Sequence, residues 1–96
     1  MFAPSFLLGG DFMNSEEQRQ RKRLLASEVG NACKFRREQA RLSVRDIANK
    51  TGYSTQLIYS FEAGKTTNYI LLFDCYLNLL GDKRKYLMDD IMNLIK

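Results

Sequence analysis

Thr55, Gln56, Tyr59 and Ser60 are uncharged hydrogen-bonding side chains in the segment STQLIYSFE. At helical spacing they fall away from the apolar pair Ile58 and Phe61. The amide of Gln56 matches N6 and N7 of adenine in a bidentate pair, and Thr55 can offer a hydroxyl to a base or phosphate and a methyl to thymine. Tyr59 can stack on the sugar-phosphate backbone, hydrogen-bond to it, or reach a base. Ser54 can cap the helix and also donate to a phosphate, where the helix N-terminus adds partial positive charge. Arg41, Arg45 and Lys50 are further candidates for phosphate contact, which supplies salt-dependent affinity and register without selecting sequence. The segment holds no Lys or Arg, so a bidentate arginine on guanine is not expected from within it, and the contacted bases are expected to favour A·T pairs. The plainer reading of the same residues is a polar helix that faces solvent.

These side chains need a scaffold, and the surrounding stretch Ser43–Lys65, SVRDIANKTGYSTQLIYSFEAGK, supplies one. It reads as two short helices joined by a tight turn at Thr51-Gly52-Tyr53. Ser43 and Ser54 each stand where a hydroxyl accepts an N–H that the first helical turn leaves unpaired. Ile47 and Ala48 form the apolar face of the first helix, and Ile58 and Phe61 that of the second. Gly52 sits where the turn needs positive φ, and Gly64 is a stop signal for the second helix.

The ordered set Arg37, Leu42-Ser43, Ile47-Ala48, Gly52, Ser54, Ile58, Glu62-x-Gly64-Lys65 and Leu80-Gly81 resembles the helix-turn-helix of the phage repressor/Cro family, also called Xre or lambda-repressor-like. The resemblance runs from about Glu28 to Gly81. It implies an all-α, compact five-helix domain that binds double-stranded DNA, with the positions of Thr55, Gln56 and Ser60 reading bases and Lys65 contacting the backbone. It also implies an ion pair between Arg37 and Glu62 that locks the recognition helix to the scaffold. Two positions depart from the family pattern. Val44 stands where a phosphate-contacting glutamine is common, and Tyr53 where a small or β-branched residue is usual.

With 96 residues the chain has room for one small core. Its net charge of +4 is uneven: Ser15–Lys65 carries eleven Lys/Arg against six Asp/Glu, and the bases and acids after Lys65 balance. The positive field therefore lies on the half that holds the candidate recognition residues, where a polyanion would dock. There is no histidine and there are only two cysteines, Cys33 and Cys75, which excludes the common zinc cages. Both cysteines are expected as buried core residues in a reducing cytosol. No metal or cofactor is expected. With no phosphate-cradling glycine-rich loop and no nucleophile–base pair, the sequence does not suggest an enzyme.

Residues 1–14 hold the only proline and a Gly-Gly pair. They read as a flexible arm preceding a helix-turn-helix domain at 15–96; Met13 could serve as an alternative start, and the arm could instead dock on a groove or a partner. Their apolar run is too short to span a bilayer, and no basic residue precedes it as in a secretory signal. Ser15 reads as an N-cap. From there to about Ala40 only Gly30 interrupts the pattern, and Ser27 could cap a second helix there. Leu25, Val29, Ala32, Cys33 and Ala40 give one apolar face. The basic cluster Arg19–Arg23 could reach a DNA backbone or be a solvated helix surface.

Phe73, Tyr76, Leu77 and Leu80 form a core stripe on a helix from Asn68 to Leu80, capped by Thr67 or Asn68, with Leu71, Leu72 and Leu79 outside it. Asp82 can cap a last helix over 83–95. Leu87, Met88, Ile91, Met92 and Leu94 of that helix are the expected dimer interface, since two helices carry more apolar surface than one domain face needs. A transcriptional regulator of phage-repressor or Cro-like type, dimeric on a palindromic operator, is the expected function, in the cytoplasm of a bacterial cell, at the nucleoid, and phage-encoded as one possibility. Because the chain ends at Lys96, control is expected from dimerisation, concentration or a regulatory protein partner. The competing expectation is an antitoxin or another protein-interaction module on the same scaffold. No membrane association is expected.

Overall fold

The computed structural model describes residues 14–66 and 70–94. Among them the chain is helical: α1 (Ser15–Gln39), α2 (Val44–Thr51), α3 (Thr55–Glu62), α4 (Ile70–Leu80), a 3-10 turn (Gly81–Lys83) and α5 (Arg84–Leu94). No described residue lies in a strand. The helices surround a core of Val29, Cys33, Val44, Ile47, Ala48, Ile58, Phe61, Leu72, Tyr76, Leu80 and Leu87, with α1 packed against α3, α4 and α5.

The helix ends have local causes. α1 starts at a capping box on Asn14, whose Oδ1 accepts from Glu17 N at 2.8 Å while Glu17 Oε1 accepts from Asn14 N at 2.9 Å. Asn14, expected in the arm, is thus the cap, and the expected cap Ser15 is the first helical residue. The amide side chain one position earlier forms the reciprocal pair with Glu17 that Ser15 cannot reach. α1 ends in a Schellman arrangement: Arg41 N donates to Glu38 O and Leu42 N to Arg37 O, both at 3.0 Å, with Arg41 at φ 60°. α2 begins at a second capping box, Ser43 with Asp46, and ends at Gly52 with φ 80°.

Gly30 does not split α1. One continuous 25-residue helix runs through it, and Ser27 is interior. A Cβ on Gly30 would lie 2.5 Å from Phe61 O and 2.7 Å from Glu62 O. The glycine lets the backbone of α1 come against the last turn of α3, and that packing offsets the cost in helix propensity of about 1 kcal/mol.

Three further expectations change. The core stripe of α4 is rotated: Leu72, Tyr76 and Leu80 are buried, while Phe73 and Leu77 only flank the core. Leu72 sits inside because α4 packs against α1, α2 and α5 together, so the narrow stripe of a single interface does not describe it. Asp82 lies in the 3-10 turn, which has no side-chain cap, and α5 starts at Arg84. Cys75 is only half-buried, whereas Cys33 is wholly enclosed. The expectations for 1–13, for a cap at Thr67 or Asn68, and for Ile95 lie outside the described residues. Among the described residues no helix is long and apolar enough to cross a membrane.

Candidate nucleic-acid interface

α3 has two dissimilar sides. Ile58, Phe61 and Glu62 are buried, whereas Thr55 and Gln56 are exposed and Tyr59 is 61% exposed. Ser60, expected with them, is half-buried. The helix starts where Ser54 Oγ accepts from Leu57 N at 3.2 Å. Its N-terminus is held by the turn: Thr51 Oγ1 donates to Ile47 O at 2.9 Å and accepts from Tyr53 N at 3.1 Å. Tyr53 packs against the core from this turn, so the bulky residue at a position expected to be small serves as an anchor. At the other end Gly64, φ 77°, stops the helix, with Gly64 N on Phe61 O and Lys65 N on Ser60 O. That glycine also permits contact with α1, since a Cβ there would lie 2.5 Å from Ser27 Cα.

The buried side of α3 is fixed by a charged network. Arg37 of α1 donates through Nε to Glu62 Oε2 at 2.7 Å and through Nη2 to Oε1 at 3.0 Å, a bidentate pair. Arg37 Nη1 donates to Leu42 O at 2.8 Å, and Tyr76 of α4 donates to Glu62 Oε2 at 2.6 Å. Among the described residues no buried side-chain nitrogen or oxygen lacks a partner. The hydrogen bond to Glu62 raises the pKa of Arg37 above its ordinary value. Burial, then the hydrogen bond to Glu62 and its charge, push the Tyr76 phenol far above its ordinary value of 10.0. Burial first, then Glu62 and Asp90, raise the Cys33 thiol likewise, so Cys33 is an inert core thiol.

The expected phosphate contacts Ser54, Arg41, Arg45, Lys50 and Lys65 are all exposed. They stand at the end of α1, on α2, and at either end of α3. None of the four cations makes an ion pair among the described residues, so their charge is available to an anion. Arg45 and Lys50 are exposed residues of α2, on the two flanks of the buried face formed by Val44, Ile47 and Ala48. Val44, where the family resemblance led to the expectation of a phosphate-contacting glutamine, is a core residue at 6% exposure.

The expected dimer interface divides. Leu87 is wholly buried inside the chain and cannot meet a partner; it is the residue by which α5 seats on the core. Ile91 and Leu94 are half-buried against that core, whereas Met88 and Met92, one turn apart, are 40% and 57% exposed. Ile70 and Leu71 at the start of α4 are also exposed.

Three positioning residues carry no clear signal of their role in the sequence. Tyr76 read as a core aromatic, and its hydroxyl contact with Glu62 carries no spacing signal. Arg36 makes a bidentate pair with Asp90 of α5, at 2.7 and 2.9 Å, that ties α1 to α5. Gly30 read as an interruption and is a contact point.

Comparison with known proteins finds no family model, no curated protein and no solved structure that matches the chain.

Proposed function

We propose that the chain is a sequence-specific double-stranded DNA-binding transcriptional regulator of the phage-repressor type, with α2 and α3 as its helix-turn-helix. One observation carries this reading: Thr55, Gln56 and Tyr59 face solvent on a short helix whose opposite side is pinned by Arg37, Glu62 and Tyr76. The major groove admits one such helix, and side chains near its N-terminus meet base edges. Pinning the back of α3 pre-organises those side chains, so less ordering cost is left to binding. Ser54, Arg41, Arg45, Lys50 and Lys65 then hold the flanking phosphates. Met88 and Met92, with the edges of Ile91 and Leu94, form the dimer contact. A dimer reads two half-sites one helical turn apart, roughly 34 Å.

A gel shift on the DNA flanking the chain's own gene tests this. Specific retardation that weakens steeply with salt supports the regulator, and absence of any duplex binding at low salt refutes it. The exposed apolar side chains Ile70, Leu71, Met88 and Met92 favour a second reading, an antitoxin or other protein-interaction module. A tight one-to-one complex with a co-encoded protein, formed without any DNA affinity, is the outcome that would select it.

A further inference from the structure

α1 extends past the body it packs on. Residues 14–24 are all exposed, and Ala26 is the first buried residue of the helix. At 1.5 Å per residue, the overhang is about 15 Å long. Its direction follows from two close approaches: the backbone of Gly30 meets the carbonyls of Phe61 and Glu62, and that of Ser27 meets Gly64. α1 therefore passes the C-terminal end of α3 at Ser27–Gly30, and the residues before Ser27 continue beyond Gly64 and Lys65. The opposite end of α1 is tied to α5 by Arg36 and Asp90.

The face that this overhang presents is set by helical register. Ala26, Val29, Gly30, Cys33 and Arg37 are the buried stripe of α1. Continued toward the N-terminus at three- and four-residue steps, the same stripe passes through Arg23, Lys22 and Arg19. Arg21 falls on the other side, as does Leu24, the one apolar residue between Ser15 and Leu24. Arg19 shares its charge with Glu16 at 2.8 Å, while Lys22 and Arg23 have no ion-pair partner among the described residues. A stripe that turns from apolar to cationic where it leaves the protein offers no seam to a partner helix, which would need apolar residues there. It does complement a polyanion.

We propose that Lys22 and Arg23, with Arg19 beside them, grip the phosphate backbone of duplex DNA beyond the C-terminal end of α3. This rests on the DNA-binding reading above and extends the footprint past the recognition helix. Such contacts strengthen binding without choosing sequence.

The test is fluorescence anisotropy of the full chain on a selected duplex and a scrambled one between 50 and 200 mM salt. K22Q/R23Q is compared with R84Q/K85Q, an equal charge change at the start of α5, with circular dichroism to confirm helicity. Each lost phosphate contact lowers the slope of log K against log salt by about 0.9. K22Q/R23Q is expected to lower the slope by about 2 on both duplexes, with the ratio of affinities between them unchanged. Over that salt range its affinity falls about tenfold less than the wild type's. A slope equal to that of R84Q/K85Q overturns the grip and leaves the recognition helix standing. A wild-type chain that binds neither duplex at 50 mM salt overturns both.

Discussion

The Tyr76 hydroxyl donates to Glu62 Oε2 at 2.6 Å, the same oxygen that accepts from Arg37 Nε at 2.7 Å. One carboxylate at the end of α3 thereby receives α1 from one side and α4 from the other. The arrangement matters because Glu62 and Arg37 are only 4% and 7% exposed, and a charge left there alone is costly. Glu62→Ala is expected to lower stability by about 3–5 kcal/mol, since it strands the buried Arg37 guanidinium. Tyr76→Phe keeps the ion pair and removes one hydrogen bond to a charged group, so about 1.5–3 kcal/mol is expected. Urea denaturation measures both, and equal losses would contradict the ranking.

Gly30 and Gly52 make opposite demands on a substituted alanine. At Gly52, φ is 80° and nothing lies within 4 Å of a new Cβ, so Gly52→Ala costs only backbone strain, about 1–2 kcal/mol. At Gly30 a Cβ meets backbone carbonyls, which have no rotamer to move. Overpacking of about 1–3 kcal/mol there outweighs a gain of about 1 kcal/mol in helix propensity. It also pushes α3 away from α1. Gly30→Ala is therefore expected to weaken DNA binding as well as stability, and Gly52→Ala mainly stability; thermal melts alongside anisotropy read the two effects.

The caps Ser43 and Ser54, the turn glycine Gly52 and the stop Gly64 are local devices, each set by a backbone group within a few residues, and the structure has them as expected. The Arg37–Glu62 pair was legible only through the family resemblance. The role of Gly30 is not legible locally, because helix propensity is a local quantity and the carbonyls that need the glycine are more than thirty positions away. In α4 nine of the eleven residues are apolar, so periodicity alone does not choose between a stripe through Leu72 and one through Phe73. Apolar surplus on α5 does not say which of its residues the chain keeps for its own core, and Leu87 is that residue.

Arg41 holds φ 60°, a left-handed conformation that costs a non-glycine residue about 1–2 kcal/mol, in the place where glycine ordinarily ends a helix. The Arg41 side chain is exposed and makes no ion pair among the described residues. Arg41→Gly is expected to raise the melting temperature while lowering DNA affinity and its salt slope by about 1. A variant that gains stability with unchanged affinity would remove Arg41 from the phosphate contacts.

Alkaline pH acts on the buried thiol and phenol. In the unfolded chain Cys33 and Tyr76 ionise near their ordinary values of 9.0 and 10.0, whereas the folded chain keeps both protons to higher pH. Above pH 9 the unfolded state binds fewer protons than the native state, so stability falls as pH rises. Each group contributes up to about 1.4 kcal/mol per pH unit in this range. Cys33→Ala is expected to move the onset of the fall from about pH 9 to about pH 10, read by urea midpoints across the range. An unchanged onset would contradict the role of the thiol.

An NMR titration of the labelled chain with a selected operator duplex tests the proposal that α3 is the surface that meets DNA. Amide shifts concentrated at Ser54–Ser60 and Lys65, with Gln56→Ala abolishing discrimination among A·T-containing sites, are the predicted result. Shifts confined to Ile70, Leu71, Met88 and Met92, with Ser54–Ser60 unmoved, would contradict it.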